Sequence, residues 1–446
     1  MLLKSSYILL LGYISLFAFN LSDTIFTKVH GCQNRNTFIA NSYASTLGYL
    51  IAGSSMCNTL PDYQGMTVHL DPNGGLIDWS TLPLQRSKIR KFVPKTGGGY
   101  FGTLLLQNRD ENLALFDNNG QYQTHKYIPY VNLIVQARQI ASGDIFLVGR
   151  NDSTSGSITN TVSTYALYSI GLDSQWTRRS FESGQAFPEF VEQFSNGNIA
   201  VIYNQKVLNA SGSDLLDSVG VDIISPSDGS IIQRRKIKCP GTALSHVEYA
   251  AISNDGLLDV VSFCYYPPET RYFNWRTRIG SNGAIVEEKE LPYKTTGDYL
   301  TTPQDGLIQL GKRIDYATST TLLTLRFIDN QFNLIDSSSY LFDHIIGLRG
   351  FFITSDTTLD LITTYRFYFP PDYTSPYDKI GFYKFRISDR PSDAEPPPKL
   401  GRKIHMADSN NFFDIRGCFL PSQAGNPQVY RFKCRLGAIS VTKQNR

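Results

Sequence analysis

The chain has 446 residues and a formal net charge of +3, with 42 Lys or Arg against 39 Asp or Glu. The basic residues are scattered along the chain, which argues against a nucleic-acid partner. Tyr, Phe and Gly are plentiful (26, 27 and 35), a composition suited to short strands and tight turns. A helical period of 3.6 residues is nearly absent after residue 24, so a mixed α/β fold is improbable.

The N-terminus predicts export. Lys4 precedes an apolar run over residues 7–19, which is short for a membrane span and is typical of the apolar region of a secretory signal. We expect a signal peptide over residues 1–22, with an uncleaved anchor as the alternative because no clear cleavage motif follows Ala18. The predicted location is extracellular or at the cell surface, with no membrane span after the signal peptide.

Two hairpin signals then alternate along the chain. The first is a turn followed by a short apolar run, and it recurs at Gly48, Gly98, Gly143, Gly197, Gly256, Gly306, Asp356 and Asn410. The second lies between these copies, in segments such as LDPNGGLIDW and SPSDGSIIQR. Two hairpins in each unit of about 50 residues give four short strands, which is the period of a β-propeller blade.

The sequence therefore predicts an all-β fold, a single propeller domain over residues 24–446 built of four-stranded antiparallel blades. Both hairpin series give about eight blades, with seven as the alternative because blades 1, 7 and 8 are the least regular. The predicted blades span residues 33–83, 84–130, 131–184, 185–240, 241–294, 295–342, 343–402 and 403–446.

Strand character sets the order within a blade. Predicted second strands, such as residues 198–203 and 257–263, are apolar on both faces and are expected inside the blade stack. Predicted fourth strands, such as residues 231–238 and 285–291, carry charges that suit an outer edge.

Two segments carry a family resemblance. PEFVEQFSNGNIAVIY (188–203) followed by VDIISPSDGSIIQRRKI (221–237) resembles secreted propeller repeats that read roughly as sDGgfVVvW and then FDxDG. The resemblance spans nearly the whole mature chain and implies a fold more than a function.

A more distant likeness concerns calcium. SNDGLLDVV is similar to the FG-GAP repeats of integrin-type propellers, whose acidic loop binds calcium. Asp255 and Asp259 match that loop, but Ala251 and Ser253 replace its early acidic ligands. The likeness therefore implies at most weak calcium binding near the two aspartates, and no other cofactor or metal is expected.

Six cysteines in an exported chain favour disulfides. Cys239 and Cys264 end strands on one propeller face, and Cys32 and Cys57 have the same spacing, so we expect these two pairs. Cys418 with Cys434 follows by elimination, although either could instead join the N-terminal segment; sequence alone permits 15 connectivities.

Acceptor sequons predict glycosylation at Asn151 and Asn209. A third, at Asn20, lies within the predicted signal peptide.

Candidate chemistry lies near first strands, which meet at the central channel. If the protein is an enzyme, its acid and base groups are expected among Glu189, Glu192, His246, Glu248, His405 and Asp408. The favoured interpretation gives these groups structural hydrogen bonds and no catalytic role. The sequence contains no zinc motif, no P-loop and no G-x-S-x-G elbow.

Ligand-binding candidates come from two places. Arg349 and His246 lie near first strands, and the third strand RYFNWRTR places Tyr272 and Arg276 on one face. Aromatic and Arg side chains together suit sugar stacking or a protein hot spot.

The leading hypothesis is a secreted, non-enzymatic binding, adhesion or structural module. Its partner is expected to be an extracellular protein or glycan, and the chain itself is a candidate for homo-oligomers or filaments. The alternative is a carbohydrate-active enzyme, a glycosidase or lyase, with its site at the channel mouth.

Overall fold

A computed structural model describes most of the chain between residues 18 and 390, together with four short strands beyond it. The described residues are 18–31, 37–45, 47–56, 63–107, 111–129, 131, 133–155, 158–180, 185–208, 214–241, 244–269, 271–291, 297–301, 307–315, 320–329, 331–342, 346–355, 358–367, 377–390, 412–413, 419–420, 430–435 and 438–443.

Four-stranded antiparallel sheets follow one another along the chain. Blade 1 contains β2 (Thr37–Ser45), β3 (Gly48–Ser55), β4 (Gln64–Leu70) and β5 (Leu76–Thr81). Blade 2 contains β6 (Lys88–Pro94), β7 (Tyr100–Leu105), β8 (Glu111–Phe116) and β9 (Tyr122–Tyr127). Blade 3 contains β10 (Leu133–Gln139), β11 (Ile145–Ser155), β12 (Ile158–Tyr168) and β13 (Ser174–Ser180). Blade 4 contains β14 (Gln185–Gln193), β15 (Ile199–Leu208), β16 (Asp214–Ile224) and β17 (Ile231–Ile237). Blade 5 contains β18 (Leu244–Ile252), β19 (Leu258–Tyr266), β20 (Arg271–Ile279) and β21 (Ile285–Leu291), with a 3₁₀ turn at Pro267–Glu269. Blade 6 contains β22 (Gly297–Thr301), β23 (Leu307–Asp315), β24 (Thr320–Ile328) and β25 (Leu334–Phe342).

The seventh blade joins the two ends of the ring. It contains β26 (Ile346–Ser355), β27 (Thr358–Phe367), β28 (Tyr377–Arg390) and, as its outer strand, β1 (Ala18–His30) from the N-terminus. First strands of successive blades touch from β2 to β22, and β26 touches β2. The protein is thus a seven-bladed β-propeller with the first strands around its central channel.

Seven is the alternative number of blades that the sequence left open. The range 403–446, expected to be an eighth blade, contains two separate hairpins in its described part, β29 (Phe412–Phe413) with β30 (Phe419–Leu420) and β31 (Tyr430–Arg435) with β32 (Ala438–Lys443). The eighth hairpin signal was misleading because the N-terminus supplies the missing strand of blade 7. Strand β1 also overlaps residues 18–22 of the expected signal peptide, which stays a prediction.

Apolar second and third strands form the cores between blades. Leu258 and Val260 of blade 5 pack with Ile202 and Val221 of blade 4, all fully buried. Outer strands are largely exposed, and their charged side chains cover the edge as expected.

A buried carboxylate joins blades 3 and 4. Asp222 accepts hydrogen bonds from Tyr165 Oη of blade 3 at 2.8 Å and from Arg234 Nε at 2.7 Å. Burial, followed by the charge of Asp222, raises the pKa of Tyr165 well above its ordinary value, so this tyrosine stays a hydrogen-bond donor.

The structure bonds Cys239 to Cys264, with 6.2 Å between their Cα atoms, which confirms that predicted pair. The bond ties the exit of blade 4 to the second strand of blade 5. Cys32, Cys57 and Cys418 lie outside the described residues, as does the side chain of Cys434. Within the described residues, no helix has the length and apolar character needed to cross a membrane.

Candidate binding site at the channel mouth

A β-bulge recurs in the first strands. Each of six first strands shifts register against its second strand, once in blades 1 to 5 and twice in β26. The residues left unpaired at the shift, the earlier one in β26, are Ala40, Arg90, Val135, Glu189, Glu248 and Arg349 of β2, β6, β10, β14, β18 and β26. Bulges re-aim side chains and are frequent beside functional sites. Four of these six side chains are charged, so the bulges place ionic groups around one end of the channel.

The bulges keep a fixed distance from the following turn. In blades 1 to 5 the unpaired residue lies eight positions before the turn glycine, which is Gly48, Gly98, Gly143, Gly197 or Gly256. All five glycines have positive φ values, a conformation that favours glycine. The turn therefore fixes the register of the first strand and with it the height of the bulge in the channel.

A cavity of about 560 Å³ opens at this end of the channel, across blades 1 to 4. Its lining comes from the bulges, the starts of the first strands and the second strands beside them. The described lining residues with polar groups or aromatic rings are Phe38, Ser54, Tyr63, Lys88, Arg90, Lys91, Gln136, Arg150, Phe187 and Glu189. Four cations thus face one carboxylate; we call Lys88, Arg90, Lys91 and Arg150 the basic cluster.

Aromatic rings hold cations around the cavity. Lys88 Nζ lies 4.1 Å from the ring centre of Tyr63, and the Arg150 guanidinium lies 5.1 Å from that of Phe187. At the bulge of blade 7, the Arg349 guanidinium lies 5.4 Å from the ring centre of Phe38. Cation–π contacts of this kind fix the positions of the charges without neutralising them.

Burial opposes the charge of the two lysines. It lowers the pKa of Lys88, and the neighbouring Arg90 lowers it further. Burial likewise lowers the pKa of Lys91, against which the charge of Glu189 acts. Both ammonium groups would therefore be stabilised by a bound anion.

Arg90 has a partner beneath the cavity. Its Nε lies 3.3 Å from Oε1 of Glu111, a fully buried residue of β8. Burial raises the pKa of Glu111 to about 7, while Arg90 and the Ile134 amide act in the opposite direction. Near neutral pH, Glu111 therefore neutralises Arg90 incompletely.

The acidic side of the mouth lies on blades 4 and 5. Asn204 Nδ2 donates to Glu189 Oε1 at 3.2 Å, and its Oδ1 accepts from the Val247 amide at 2.8 Å. His246 Nε2 lies 2.5 Å from Glu248 Oε1. Desolvation by the surrounding protein is the main reason why the pKa of Glu189 is raised, and the charge of Glu248 adds to it. The hydrogen bond from Asn204 and the charges of Lys91 and His246 act in the opposite direction. The structure thus brings together Glu189, His246 and Glu248, three of the predicted acid–base candidates.

The remaining candidates of that set are placed differently. Glu192 forms an ion pair at 2.7 Å with Arg138, on the first strand of the preceding blade. Burial raises the pKa of Glu192, and the charge and hydrogen bond of Arg138 act in the opposite direction. His405 and Asp408 lie outside the described residues.

Two ligand-binding candidates on β20 differ in exposure. Tyr272 is exposed and stacks on Tyr265 and Phe263, with ring centres 4.7 and 5.5 Å apart. Phe263 in turn lies against His246, at 5.1 Å. Arg276 is instead buried, and its Nη2 lies 2.8 Å from Asp259 Oδ1; its role in ligand binding stays a prediction.

The two aspartates of the calcium-like loop bind arginines. Asp259 accepts from Arg278 Nε at 3.1 Å, and Asp255 pairs with the same guanidinium. Calcium binding there stays a prediction, and the ion would compete with two arginines for these carboxylates. Within the described part of the chain, no group of three His, Cys, Asp or Glu side chains is arranged to hold a metal ion.

Sequence reasoning missed the basic cluster, together with Ser54 and Gln136. Charged residues next to a predicted first strand looked like ordinary surface positions. The signal was the repeat itself, because counting eight residues back from Gly98 identifies Arg90 as the equivalent of Glu189. Asn151, a predicted glycosylation site, lies in β11, paired with Val162 of β12. Asn209 is outside the described residues.

Comparison with known proteins finds solved structures with a similar fold but no family to which the chain can be assigned. No family model and no curated protein matches the chain. Similar solved structures include a protein of unknown function from Bacteroides caccae, with 11% identity and a TM-score of 0.39 over 65% of this chain and 93% of that one. Drosophila Plexin A in complex with Semaphorin 1b has 6% identity and a TM-score of 0.44 over 82% and 88%.

A puromycin hydrolase mutant has 11% identity and a TM-score of 0.45 over 74% of this chain and 50% of its own, so this chain spans half the length of that protein. Similarities this weak carry no functional argument.

Proposed function

We propose that the protein is an extracellular binding module whose ligand docks at the mouth of the central channel. The observation that carries the proposal is the cavity of about 560 Å³ where charged bulge residues of several blades converge. Pockets of this size bind small ligands or single units of a polymer. A rigid propeller holds such a site with little loss of entropy on binding.

Export is part of the proposal. The apolar N-terminal run, the resemblance to secreted propeller repeats and the Cys239–Cys264 disulfide all support it. The partner is an extracellular glycan or protein, and self-assembly into oligomers or filaments is compatible with the same fold.

Binding of the purified chain to immobilised glycans and extracellular proteins tests this function. Gln136→Trp would place a large ring in the cavity and obstruct it, whereas Thr124→Trp places the same side chain on the exposed outer strand β9. We expect Gln136→Trp to abolish binding and Thr124→Trp to leave it unchanged, measured at a temperature where both variants are folded, because Gln136→Trp also removes the hydrogen bond from Gln136 to the backbone of Glu189. Binding that survives in Gln136→Trp would place the ligand elsewhere and overturn the proposal.

A second candidate is a carbohydrate-active enzyme with the same mouth as its active site. The observation in its favour is the cluster of Glu189, whose pKa is raised, with Glu248 and its partner His246. A carboxyl group with a raised pKa suits general acid catalysis, and a second carboxylate suits the role of base or nucleophile.

Turnover of glycan substrates separates the two functions. If the protein is an enzyme, Glu189→Gln and Glu248→Gln each abolish turnover with little change in melting temperature. Binding without turnover in the unaltered chain, or equal rates in both variants, would exclude catalysis by these residues.

A further inference from the structure

The charges around the cavity define which ligand it accepts. Four cations and one carboxylate line the described part of its wall, and Glu111 offsets Arg90 incompletely near neutral pH. An anionic group placed in the basic cluster would regain the solvation that burial removes from Lys88 and Lys91. The ligand therefore carries a negative charge.

The other polar groups of the cavity wall are suited to hydrogen bonds with hydroxyl groups of a ligand. Ser54 is fully buried and lines the cavity, and its Oγ has no hydrogen-bond partner among the described residues. Gln136, whose Nε2 donates to the backbone oxygen of Glu189, and the Glu189 side chain also line the wall, and their oxygens are acceptors for hydroxyl donors. One acidic group with several hydroxyls around it satisfies this combination.

The wider surface limits the alternatives. The chain has a net charge of only +3, with basic residues scattered outside the cavity, so a nucleic acid or an anionic membrane would find little further attraction. The first strands are the inner edge strands of their blades, so a peptide would have to enter the channel to pair with one of them.

We infer that the cavity binds an acidic sugar residue of a glycan, with its carboxylate or sulfate group in the basic cluster. The sugar hydroxyls face Ser54, Gln136 and Glu189. This inference rests on the proposed function, because it assigns a ligand class to the same mouth.

Calorimetric titration of the whole mature chain tests the ligand class with four probes of equal length. These are oligogalacturonate, sulfated galactose oligomers, neutral galactose oligomers and oligoglutamate. We expect one acidic sugar to bind at least about tenfold more tightly than the neutral one, and the one that binds identifies a carboxylate or a sulfate as the anion. The affinity should fall between about 0.1 M and about 0.5 M salt.

Charge variants locate the anion. Lys91→Gln should weaken binding of the acidic sugar roughly 10- to 100-fold, the range expected for one lost charge-assisted contact. Lys126→Gln removes the same charge from the outer strand β9 and should have no effect. If Lys91→Gln melts at a lower temperature than the unaltered chain, Lys88→Gln replaces it.

The outcomes separate the two proposals. The inference of an acidic sugar is overturned if the neutral oligomer binds as tightly as the acidic ones, or if the lysine variants bind the acidic sugar as tightly as the unaltered chain. In either case, the proposal of a binding site at the channel mouth still stands if Gln136→Trp abolishes binding. Equal or tighter binding of oligoglutamate assigns the cavity to acidic peptides and overturns the sugar. Failure of both acidic sugars to bind also overturns the inference, whereas acidic sugar binding that persists in Gln136→Trp overturns both proposals.

Discussion

Single buried charges set both the geometry and the pH response of this propeller. Glu111 illustrates this, because its carboxyl is fully buried beside Arg90 and its pKa is raised to about 7 from an ordinary value of 4.5. The folded chain therefore holds a proton between these pH values that the unfolded chain releases. Stability contributed by this proton is present below about pH 4.5 and is lost as the pH rises to about 7.

We predict that Glu111→Gln flattens the dependence of stability on pH. The unaltered chain should lose about 3 kcal/mol between pH 4.5 and 7 from this group, at about 1.4 kcal/mol for each pKa unit. Urea unfolding across this range measures the loss. Glu189 and Glu192 also have raised pKa values, so both proteins keep some slope. Identical slopes in the two proteins would show that Glu111 does not titrate in this range.

At the scale of the strand and its turn, the fixed spacing between bulge and glycine organises the mouth. Gly197 has a φ of +90°, and a Cβ added there would meet no atom within 4 Å. Replacing it with alanine thus introduces backbone strain without a steric clash. Gly347 provides the matched control, because its φ is not in the left-handed region and an added Cβ would make ordinary contacts with Thr364.

We predict that Gly197→Ala lowers the free energy of unfolding by about 1–2 kcal/mol. Gly347→Ala should change it by less than about 1 kcal/mol. Chemical denaturation of the two variants provides the comparison. Because the turn sets the register that presents Glu189, ligand binding should also weaken in Gly197→Ala. Equal stabilities would mean that the turn adopts another conformation.

Periodicity and turn chemistry were enough to predict four-stranded blades, the strand order within them and the Cys239–Cys264 pair, but not that the N-terminal strand β1 completes a seventh and last blade. These features repeat locally, and each hairpin is specified within about ten residues. The basic cluster was not predicted, because Lys88, Arg90 and Lys91 of blade 2 meet Arg150 of blade 3 only when the ring forms. The ion pair of Arg276 was not predicted for a related reason, since a strand pattern gives the face of Arg276 but not its partner Asp259 on the neighbouring strand.

At the scale of the whole molecule, the ring depends on its N-terminal strand. Strand β1 pairs antiparallel with β28, from Ala18 opposite Arg390 to His30 opposite Ile380. His30 Nε2 also donates to Gly74 O of blade 1 at 2.7 Å, which joins the last blade to the first. Removal of β1 would expose the edge of β28 and remove this hydrogen bond between the last blade and the first.

Two truncations test how much of β1 the ring requires. Removal of residues 1–22, the expected signal peptide, keeps the pairs from Asp23 opposite Arg386 to His30 opposite Ile380, so the mature chain should remain folded. Removal of residues 1–30 deletes the ladder, at roughly 0.5–1.5 kcal/mol per hydrogen bond, and should cost several kcal/mol of stability. Hydrogen exchange should then show faster exchange of the β28 amides in the longer truncation alone. Equal protection of β28 in both proteins would mean that blade 7 is complete without β1.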